Sequence, residues 1–482
     1  MSGSGELVMA EKVKTVLVEV PEDLAEAVKR FVREVEETAP SADGGRAVDF
    51  AKYEDAVGES AAKLEREALR RVLQRFDIDS HRVVIGGKGH TRVGRYEGTY
   101  KTKAGPVTVL RSLYREDGRR NAKTVDAVSV RVGAVEDGWL PGTARAMSFL
   151  LQNGTSREAE AAAAEMGRLR YSRSSFESVG HAVGALYEAV HAEVEDALIE
   201  KYAVPREAKS ISVGLDRVNV PMEEPAKRPV GRPRKGAPKK PIERNYRQAY
   251  VGTVTLHDED GEALHTIRYG RMPQGDAAAL CGGMRADVAA LLRKRPDLKV
   301  ERLADGAPEM HNLLAAEVNE EKLGTHVYDL VDFWHVVEKL GAAATVIFGA
   351  ISAAVLQRWR MKLLNTEGAV WKIAAELQES GKEDVAVGKI HPVHEAITYL
   401  VNNGERMNYA EARQLGLPIG SGNTEATCKT LFEVRFKRSG SRWKEETGSQ
   451  VVQLRALALS DRWRDGTTLV LSKLRVPVRA AA

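Results

Sequence analysis

The stretch SISVGLDRVNVPM, residues 210–222, decides the fold because it reads as a strand with an acid at its centre. Its Val and Ile residues and its alternation predict a strand of a covered sheet. Asp216 interrupts the apolar run. A buried aspartate without a partner is costly, so a bound metal would explain the residue. A surface strand with Asp216 facing solvent is the alternative.

The segments that follow predict a mixed α/β sheet. They are two further strands, YRQAYVGTVTLHDEDG (246–261) and ALHTIRYG (263–270), a helix over about 276–293, the strand LKVERLADG (298–306), a helix from about 308, and a strand over about 325–330. Three antiparallel strands and then helix, strand, helix and strand is the order of an RNase H-like α/β sheet. This order places Asp216 within the first strand and Asp305 at the end of the fourth.

A third acid lies in GLPIGSGNTEATCKT, residues 416–430. This glycine-rich turn lacks the lysine and the third glycine of phosphate-binding loops. It predicts a helix that begins near Glu425, with Ser421 or Asn423 as N-cap. Glu425 then either stabilises the helix dipole or binds a metal. Two aspartates from adjacent strands and a glutamate from a helix can hold two divalent cations, about 4 Å apart, for in-line phosphoryl displacement.

At these three acids the chain resembles the DDE transposases of bacterial insertion sequences, specifically the IS-Kra group. The matching blocks cover most of 209–463 in the family's order, and GRYEGTYKTKAGPVTVLRSLYR, nearer the N-terminus, matches more loosely. The blocks are VGLDRVNVPMEEP, LHTIRYGRMPQGD, LADGAPEMHNLL, LVDFWHVVEKLGAAA, HEAITYL, ERMNYAEARQLGLPIGSGNTEATCKTL, RFKRSGSRW and LRALALSDRW.

The resemblance implies an RNase H-like mixed sheet whose catalytic and metal-binding triad is Asp216, Asp305 and Glu425. It implies two Mg²⁺ (or Mn²⁺) ions in the active site. It also implies a helical insertion between the last two acids. Asp332 and His335 match the Cys/Asp-x-x-His motif of related families and are expected to support the active site. The family pattern departs at one place, residue 311, where a histidine replaces the expected tryptophan.

The function implied is that of a DNA transposase, which cuts phosphodiester bonds at element ends and joins the 3′-hydroxyls to target DNA. The implied partner is double-stranded DNA, both terminal repeats and target, bound by a homodimer or higher oligomer. A catalytically inactive, domesticated DNA-binding protein and a metal-dependent DNA nuclease are the alternatives.

Composition agrees with a soluble protein of about three domains. The chain has 482 residues, 43% of them hydrophobic, a net charge of +4 and two cysteines, Cys281 and Cys428. Two cysteines so far apart exclude a disulfide framework or a cysteine zinc site. We find no signal peptide and no run of eighteen apolar residues, so we expect a cytoplasmic, nucleoid-associated protein with no membrane partner.

The patterns predict seven segments along the chain. They are an N-terminal helical region (1–80), a β-hairpin region (81–140), a second helical region (141–208), the first part of the catalytic core (209–335), the helical insertion (336–412), the second part of the core (413–465) and a C-terminal tail (466–482).

Two of these segments are candidates for DNA contact. The hairpin turns around 103–105 and carries five basic residues, which suit either a nucleic acid or a solvated β-face. In 141–208, one helix begins at Ser156 and a second opens at 172–175, after a break near Gly167. Such a pair fits a DNA-binding helix-turn-helix or an ordinary helical hairpin.

Two basic stretches are also candidates for DNA binding. The arm AKRPVGRPRKGAPKKP, residues 226–241, contains Arg232, Arg234 and Lys235. It suits a minor-groove hook or a linker that contacts phosphates only. The second stretch follows Glu425 and suits backbone contact with base stacking, or a solvated basic face. Its members are Arg435, Lys437, Arg438, Arg442 and Trp443. In contrast, HPVHE at 391–395 lacks the spacing of a zinc site.

Overall fold

The computed structural model describes residues 18–41, 47–119, 121–223 and 245–481, and it is mixed α/β. The described residues form two five-stranded sheets and many helices. The chain divides into two compact units. Unit 1 comprises Met1–Val132, Ala163–Arg170 and Val476–Ala482, and unit 2 comprises Gly133–Ala162 and Tyr171–Arg475.

Unit 1 combines two helices with an antiparallel sheet. The helices are α1 (Glu22–Thr38) and α2 (Phe50–Gln74). The strands are β1 (Arg82–Ile85), β2 (Lys88–Thr102), β3 (Gly105–Glu116), β4 (Val125–Asp126) and β10 (Val478–Ala480), in the order β10-β1-β2-β3-β4. Helix α3 (Ala127–Val132) follows β4.

The long hairpin predicted for this region is present, with its turn between Thr102 and Gly105. Its arginines are largely neutralised by acids. Arg92 and Arg95 pair with aspartates at 77 and 79, and Arg111 pairs with Asp126. These contacts join the hairpin to the segment before β1 and to β4, and they reduce the free positive charge of the hairpin.

Helices surround the second sheet, which belongs to unit 2. Four precede it: α4 (Pro141–Asn153), α5 (Ser156–Glu165), α6 (Arg173–Ala189) and α7 (His191–Lys201). The helical pair predicted at Ser156 and at 172–175 therefore corresponds to α5 and α6. Helix α6 packs against the later helix α18 (Glu445–Leu459) and not only against its chain neighbours.

The second sheet has the strand order β7-β6-β5-β8-β9. Its strands are β5 (Ser210–Met222), β6 (Asn245–His257), β7 (Ala263–Arg271), β8 (Lys299–Ala304) and β9 (Val327–Val331). Strands β5, β6 and β7 pair antiparallel, whereas β8 pairs parallel with both β5 and β9. Helices α8 (Ala277–Lys294), α9 (Pro308–Glu317) and α10 (Glu320–Leu323) connect the strands.

Strand β5 is buried on both faces from Ser210 to Leu215, because helices cover the sheet on each side. One face packs Ile211, Val213 and Leu215 with Met284 and Leu291 of α8. Beyond Asp216 the apolar side chains of β5 pack instead with the segment that follows Glu425. The strand is thus central, and Asp216 lies where its burial changes.

A helical insertion leaves the sheet after β9 and returns before Glu425. It consists of α11 (Phe333–Phe348), α12 (Ser352–Asn365), α13 (Ala369–Glu379), α14 (Pro392–Asn403) and α15 (Tyr409–Gln414). Its apolar faces share one core around the fully buried Trp359. By length and composition alone, Phe333–Asn365 could cross a membrane. The helix is interrupted at Gly349–Ile351, and Phe333 and Leu340 lie in the core of the insertion.

The chain then returns to the second sheet through α16 (Gly422–Thr427). A π-helical turn, Cys428–Glu433, and α17 (Val434–Phe436) continue it. Helices α18 and α19 (Trp463–Ser472) complete unit 2. The helix that bears Glu425 therefore begins three residues earlier than the acid, as a first-turn position requires.

Candidate active site

Three aspartates stand in a row at one edge of the second sheet. The parallel register pairs Val213 with Arg302, three residues before Asp216 and Asp305 respectively. It also pairs the residues immediately before Asp305 and Asp332. Because the carboxyl ends of parallel strands meet at one edge, Asp305 and Asp332 follow β8 and β9 there, and Asp216 lies level with them within the longer strand β5.

Asp216 is half-buried and has two hydrogen-bond donors. Its Oδ1 accepts the backbone N–H of Arg217 at 2.6 Å, and its Oδ2 accepts the thiol of Cys428 at 3.2 Å. Burial and the charge of Asp216 raise the pKa of the Cys428 thiol, so the sulfur keeps its proton and donates. Cys428 lies three residues after Glu425, and this contact brings the two acidic elements side by side.

Asp305 occupies the turn after β8 and is held from two directions. Its Oδ1 accepts the backbone N–H of Ala307 at 3.0 Å, and its carbonyl oxygen accepts the hydroxyl of Tyr399 at 2.7 Å. Gly306 adopts a φ of +83°, which L side chains rarely adopt. Burial and the nearby Asp305 raise the pKa of Tyr399, so the phenol remains a donor.

Asp332 is only 1% exposed, and its side chain connects the start of α11 with the turn before α16. Its Oδ1 accepts the backbone N–H of His335 at 2.9 Å and thereby caps α11. Its Oδ2 accepts the backbone N–H of Ser421 in the turn before Glu425. Each oxygen accepts one backbone donor, so this carboxylate positions the start of α11 and the turn before Glu425.

Glu425 presents its carboxylate to the same edge. Its side chain is 44% exposed, and its Oε1 lies 4.0 Å from Nε2 of His335 and 3.5 Å from Oγ of Ser421. Within the described part of the chain, ligand atoms of Asp332, His335 and Glu425 all lie within 4.8 Å of one another and could hold a metal ion. Glu425 and the Asp332/His335 pair are therefore in direct proximity.

Helix α16 rests directly on the sheet at Gly214. A Cβ added to this glycine would lie 2.1 Å from Oγ1 of Thr424 and 2.9 Å from Oγ1 of Thr253. The two threonine hydroxyls are themselves 2.8 Å apart. The missing side chain at position 214 therefore sets how closely the glutamate-bearing helix approaches β5.

The predicted triad thus stands on three elements that meet at one edge. Asp216 and Glu425 are linked through Cys428, and Asp305 is linked to Asp332 through adjacent strand ends and to α14 through Tyr399. Direct metal binding by Asp216, Asp305 and Glu425 remains a prediction. The set of potential ligands within 4.8 Å includes Glu425 but is completed by Asp332 and His335.

The predicted DNA-binding residues have very different surroundings. Arg232, Arg234 and Lys235 lie in 224–244, outside the described residues. Arg435 is buried, donates to the carbonyl of Leu151 and lies over the ring of Trp443. This position gives the guanidinium a structural role inside the protein, and burial lowers its pKa to about 10.

Other members of the same basic stretch are nearer the surface. Trp443 packs on Phe436 and donates its indole N–H to that residue's carbonyl, so its ring is already stacked. Lys437 and Arg438 form ion pairs with glutamates at 433 and 158. Arg442 is exposed and bonds the carbonyl of its neighbour at 441. Of the five, Arg442 is the cation best placed for a phosphate.

Sequence reasoning missed several of the contacts that build the site. Cys428, Tyr399 and Ser421 contact the acidic residues, yet each lies far along the chain from its partner. Their residue types carry no recognisable signal. Exposed Trp334, between Asp332 and His335, could have been noticed, because an unburied tryptophan inside a functional motif is unusual.

Comparison with known proteins yields a distant similarity. The chain matches no protein-family model and no curated protein. Among solved structures it is similar to one described as "Drosophila P element transposase strand transfer complex", with 11% sequence identity and a TM-score of 0.21, over 68% of this chain and 80% of that chain. A TM-score of 0.21 is too low to establish a shared fold.

Proposed function

We propose that this protein is a metal-dependent DNA transposase of the DDE type, related to the IS-Kra group of bacterial insertion sequences. The observation that carries the proposal is the meeting of Asp216, Asp305 and the Glu425-bearing helix at one sheet edge. The strand order, with three antiparallel strands followed by two parallel ones, supports an RNase H-like core. The sequence blocks from 209 to 463 support the family.

The residues fit hard divalent cations. Asp216, Asp305 and Glu425 offer carboxylate oxygens, the ligands that Mg²⁺ and Mn²⁺ prefer. The Glu425 carboxylate is partly exposed, and its hydrogen bond to Ser421 is long. It therefore has lone pairs available. Two bound ions supply activation of the attacking oxygen and stabilisation of the leaving one.

Two phosphoryl transfers then follow at the same edge. In the first, a water oxygen bonds to phosphorus at the element end and the 3′-oxygen leaves as a hydroxyl. In the second, that 3′-oxygen bonds to a phosphorus of target DNA and displaces the target's own 3′-oxygen. Asp332 holds the turn before Glu425 and the start of α11, so it positions the glutamate and His335.

The test is the variant Glu425→Gln, with purified protein and a duplex that carries the repeat flanking the gene. An amide is a weak Mg²⁺ ligand, so strand cleavage should fall by several orders of magnitude while folding and DNA affinity persist. Glu405→Gln, at an exposed glutamate of the insertion, is the control and should cleave normally.

Each result assigns a function. Cleavage by the wild type followed by joining to target DNA supports a transposase. Cleavage without joining favours a nuclease, and binding without cleavage favours an inactive DNA-binding descendant. Cleavage by Glu425→Gln at the wild-type rate would remove the glutamate from the mechanism.

A further inference from the structure

We infer that a polar cleft beside Asp305 receives a single unpaired nucleotide of the DNA strand that is cut. This inference rests on the proposed function and specifies which part of the substrate the insertion contacts. The cleft is a groove of about 640 Å³ between α9 and α14 that is open to solvent. Gly306, the residue after Asp305, and Tyr399, which bonds the carbonyl of Asp305, both line it.

The location ties the occupant to the reaction. Because Gly306 and Tyr399 form the wall nearest Asp305, a group in the cleft adjoins the candidate catalytic edge. The covalent continuity of DNA then makes the occupant a nucleotide next to the scissile phosphate.

The lining of the cleft suits a base edge. Asn312, Thr398 and Asn402 line it, and all three are exposed, so their polar groups are accessible to a ligand. Thr398 and Asn402 are one helical turn apart on α14 and therefore share a face. Asparagine amides offer both a donor and an acceptor, which is the pattern that base edges require.

The charge of the cleft suits a phosphate. Arg406 lines it and bonds Asn403, and among the described residues it has no acidic partner. Lys339 also lines it and pairs with Glu395 at 3.2 Å, a bond between partly exposed groups that a phosphate could replace. Arg406, a cation without an acidic partner in the described part of the chain, could bind the one phosphate of a nucleotide, and the neighbouring neutral amides could bind its one base.

The volume of the cleft suits one nucleotide. A volume of about 640 Å³ falls in the range of pockets that enclose one small ligand, roughly 300 to 1,000 Å³. Enzymes that need access to a nucleotide commonly extrude it from the stack into such a pocket, and the unstacking costs a few kcal/mol. The amides of the cleft would offset part of this cost, because a base outside the helix has unpaired edges.

The experiment uses the full chain and a duplex of the flanking repeat in which one base at a time is replaced by 2-aminopurine, whose fluorescence rises on unstacking. Without divalent ions, wild-type protein should raise the signal at one position near the end. Asn312→Ala and Asn402→Ala should reduce this rise at least about fivefold, measured at protein concentrations that keep the duplex fully bound. Gln378→Ala, at an exposed residue of α13 outside the cleft, should leave it unchanged.

A second arm tests the contact directly. An abasic site at the responsive position should slow wild-type cleavage, and adding Asn402→Ala should then slow it no further, because protein and base act as one unit. Independent effects of the two changes overturn the inference, as does a wild-type signal that is flat at every position. Thermal stabilisation by free nucleoside monophosphates with no signal from DNA would mean a free nucleotide site instead.

The cleft assignment and the transposase proposal can be refuted separately. Cleavage without unstacking at any position would refute the cleft assignment but would still support the transposase proposal. Position-specific unstacking without cleavage in Mg²⁺ or Mn²⁺ would refute the proposed enzymatic activity but would support the contact between the cleft and a nucleotide.

Discussion

At the scale of single residues, Asp332 is the clearest case of an acid that acts by positioning other residues of the site. Its two oxygens accept backbone N–H groups of His335 and Ser421. Asp332→Ala leaves both donors buried without a partner, so the free energy of unfolding should fall by about 2 to 4 kcal/mol. The divalent-ion concentration that gives half-maximal cleavage should also rise, because Glu425 is no longer held.

A matched control separates the two effects. Asp276 caps α8 in the same manner, by accepting the N–H groups of Ala278 and Ala279. Asp276→Ala should cost about 1 kcal/mol by denaturant titration and leave the metal requirement unchanged. An unaltered metal requirement in Asp332→Ala would reduce Asp332 to a simple helix cap.

His257 is a residue whose protonation limits stability in acid. Its Nδ1 bonds the carbonyl of Gly261 and its Nε2 bonds the Ser212 hydroxyl, as suits a neutral ring. Burial lowers the pKa of His257 to about 4, against roughly 6.5 in the unfolded chain. The unfolded state therefore binds more protons, so stability is full above pH 6.5 and declines as the pH falls towards 4.

The expected loss between pH 7 and pH 5 is about 2 kcal/mol from this group. His257→Asn keeps a donor but cannot titrate, so its unfolding free energy should depend less on pH by that amount. Urea titrations at the two pH values measure the difference, and identical profiles for wild type and His257→Asn would refute it.

At the scale of elements, the contact of α16 with β5 depends on a missing side chain. Gly214→Ala places a methyl group 2.1 Å from Oγ1 of Thr424, so the helix must shift outward. We expect a loss of about 1 to 3 kcal/mol from overpacking and a large fall in cleavage, because Glu425 moves with the helix. Thr424→Ala in the same chain should restore part of both.

The control uses the same substitution in another helix. Gly283 lies on the exposed face of α8, and a Cβ there would meet nothing within 4 Å. Gly283→Ala should stabilise the protein by up to about 1 kcal/mol and leave cleavage intact. Normal cleavage by Gly214→Ala would show that the glutamate does not depend on this close approach.

The elements themselves could largely be predicted from sequence, whereas the contacts between them could not. Alternation identified the strand around Asp216 because Ile211, Val213 and Leu215 pack in the apolar core on one face of β5, whereas Gly214 on the other face lies against threonines at 253 and 424. The bond between Asp332 and Ser421 joins residues 89 positions apart, and no local pattern encodes it. The sequence predicts a surface cation at Arg435, yet its guanidinium is buried and donates a hydrogen bond to a backbone carbonyl.

At the scale of the whole molecule, the two units can be observed separately. All six tryptophans, at 139, 334, 359, 371, 443 and 463, belong to unit 2. Tryptophan fluorescence therefore reports on unit 2 alone, whereas circular dichroism reports on both units.

Deletion of 476–482 should destabilise unit 1 selectively. Strand β10 pairs with β1, and Val478 packs with Val83 and Tyr114, so its loss removes ladder hydrogen bonds and core contacts together. The fluorescence midpoint in urea should stay in place while part of the circular dichroism signal melts earlier. Coincident shifts of both signals would contradict independent stability of the two units.

The pairing of β10 with β1 also has a consequence for synthesis on the ribosome. Residues 82–85 emerge early, but their partner at 478–480 is made nearly 400 codons later. At about 5 to 20 residues per second, the edge of the first sheet waits roughly 20 to 80 s for its closing strand. Nascent chains, and products of premature termination, therefore carry an open strand edge, which makes them targets for chaperones and for aggregation.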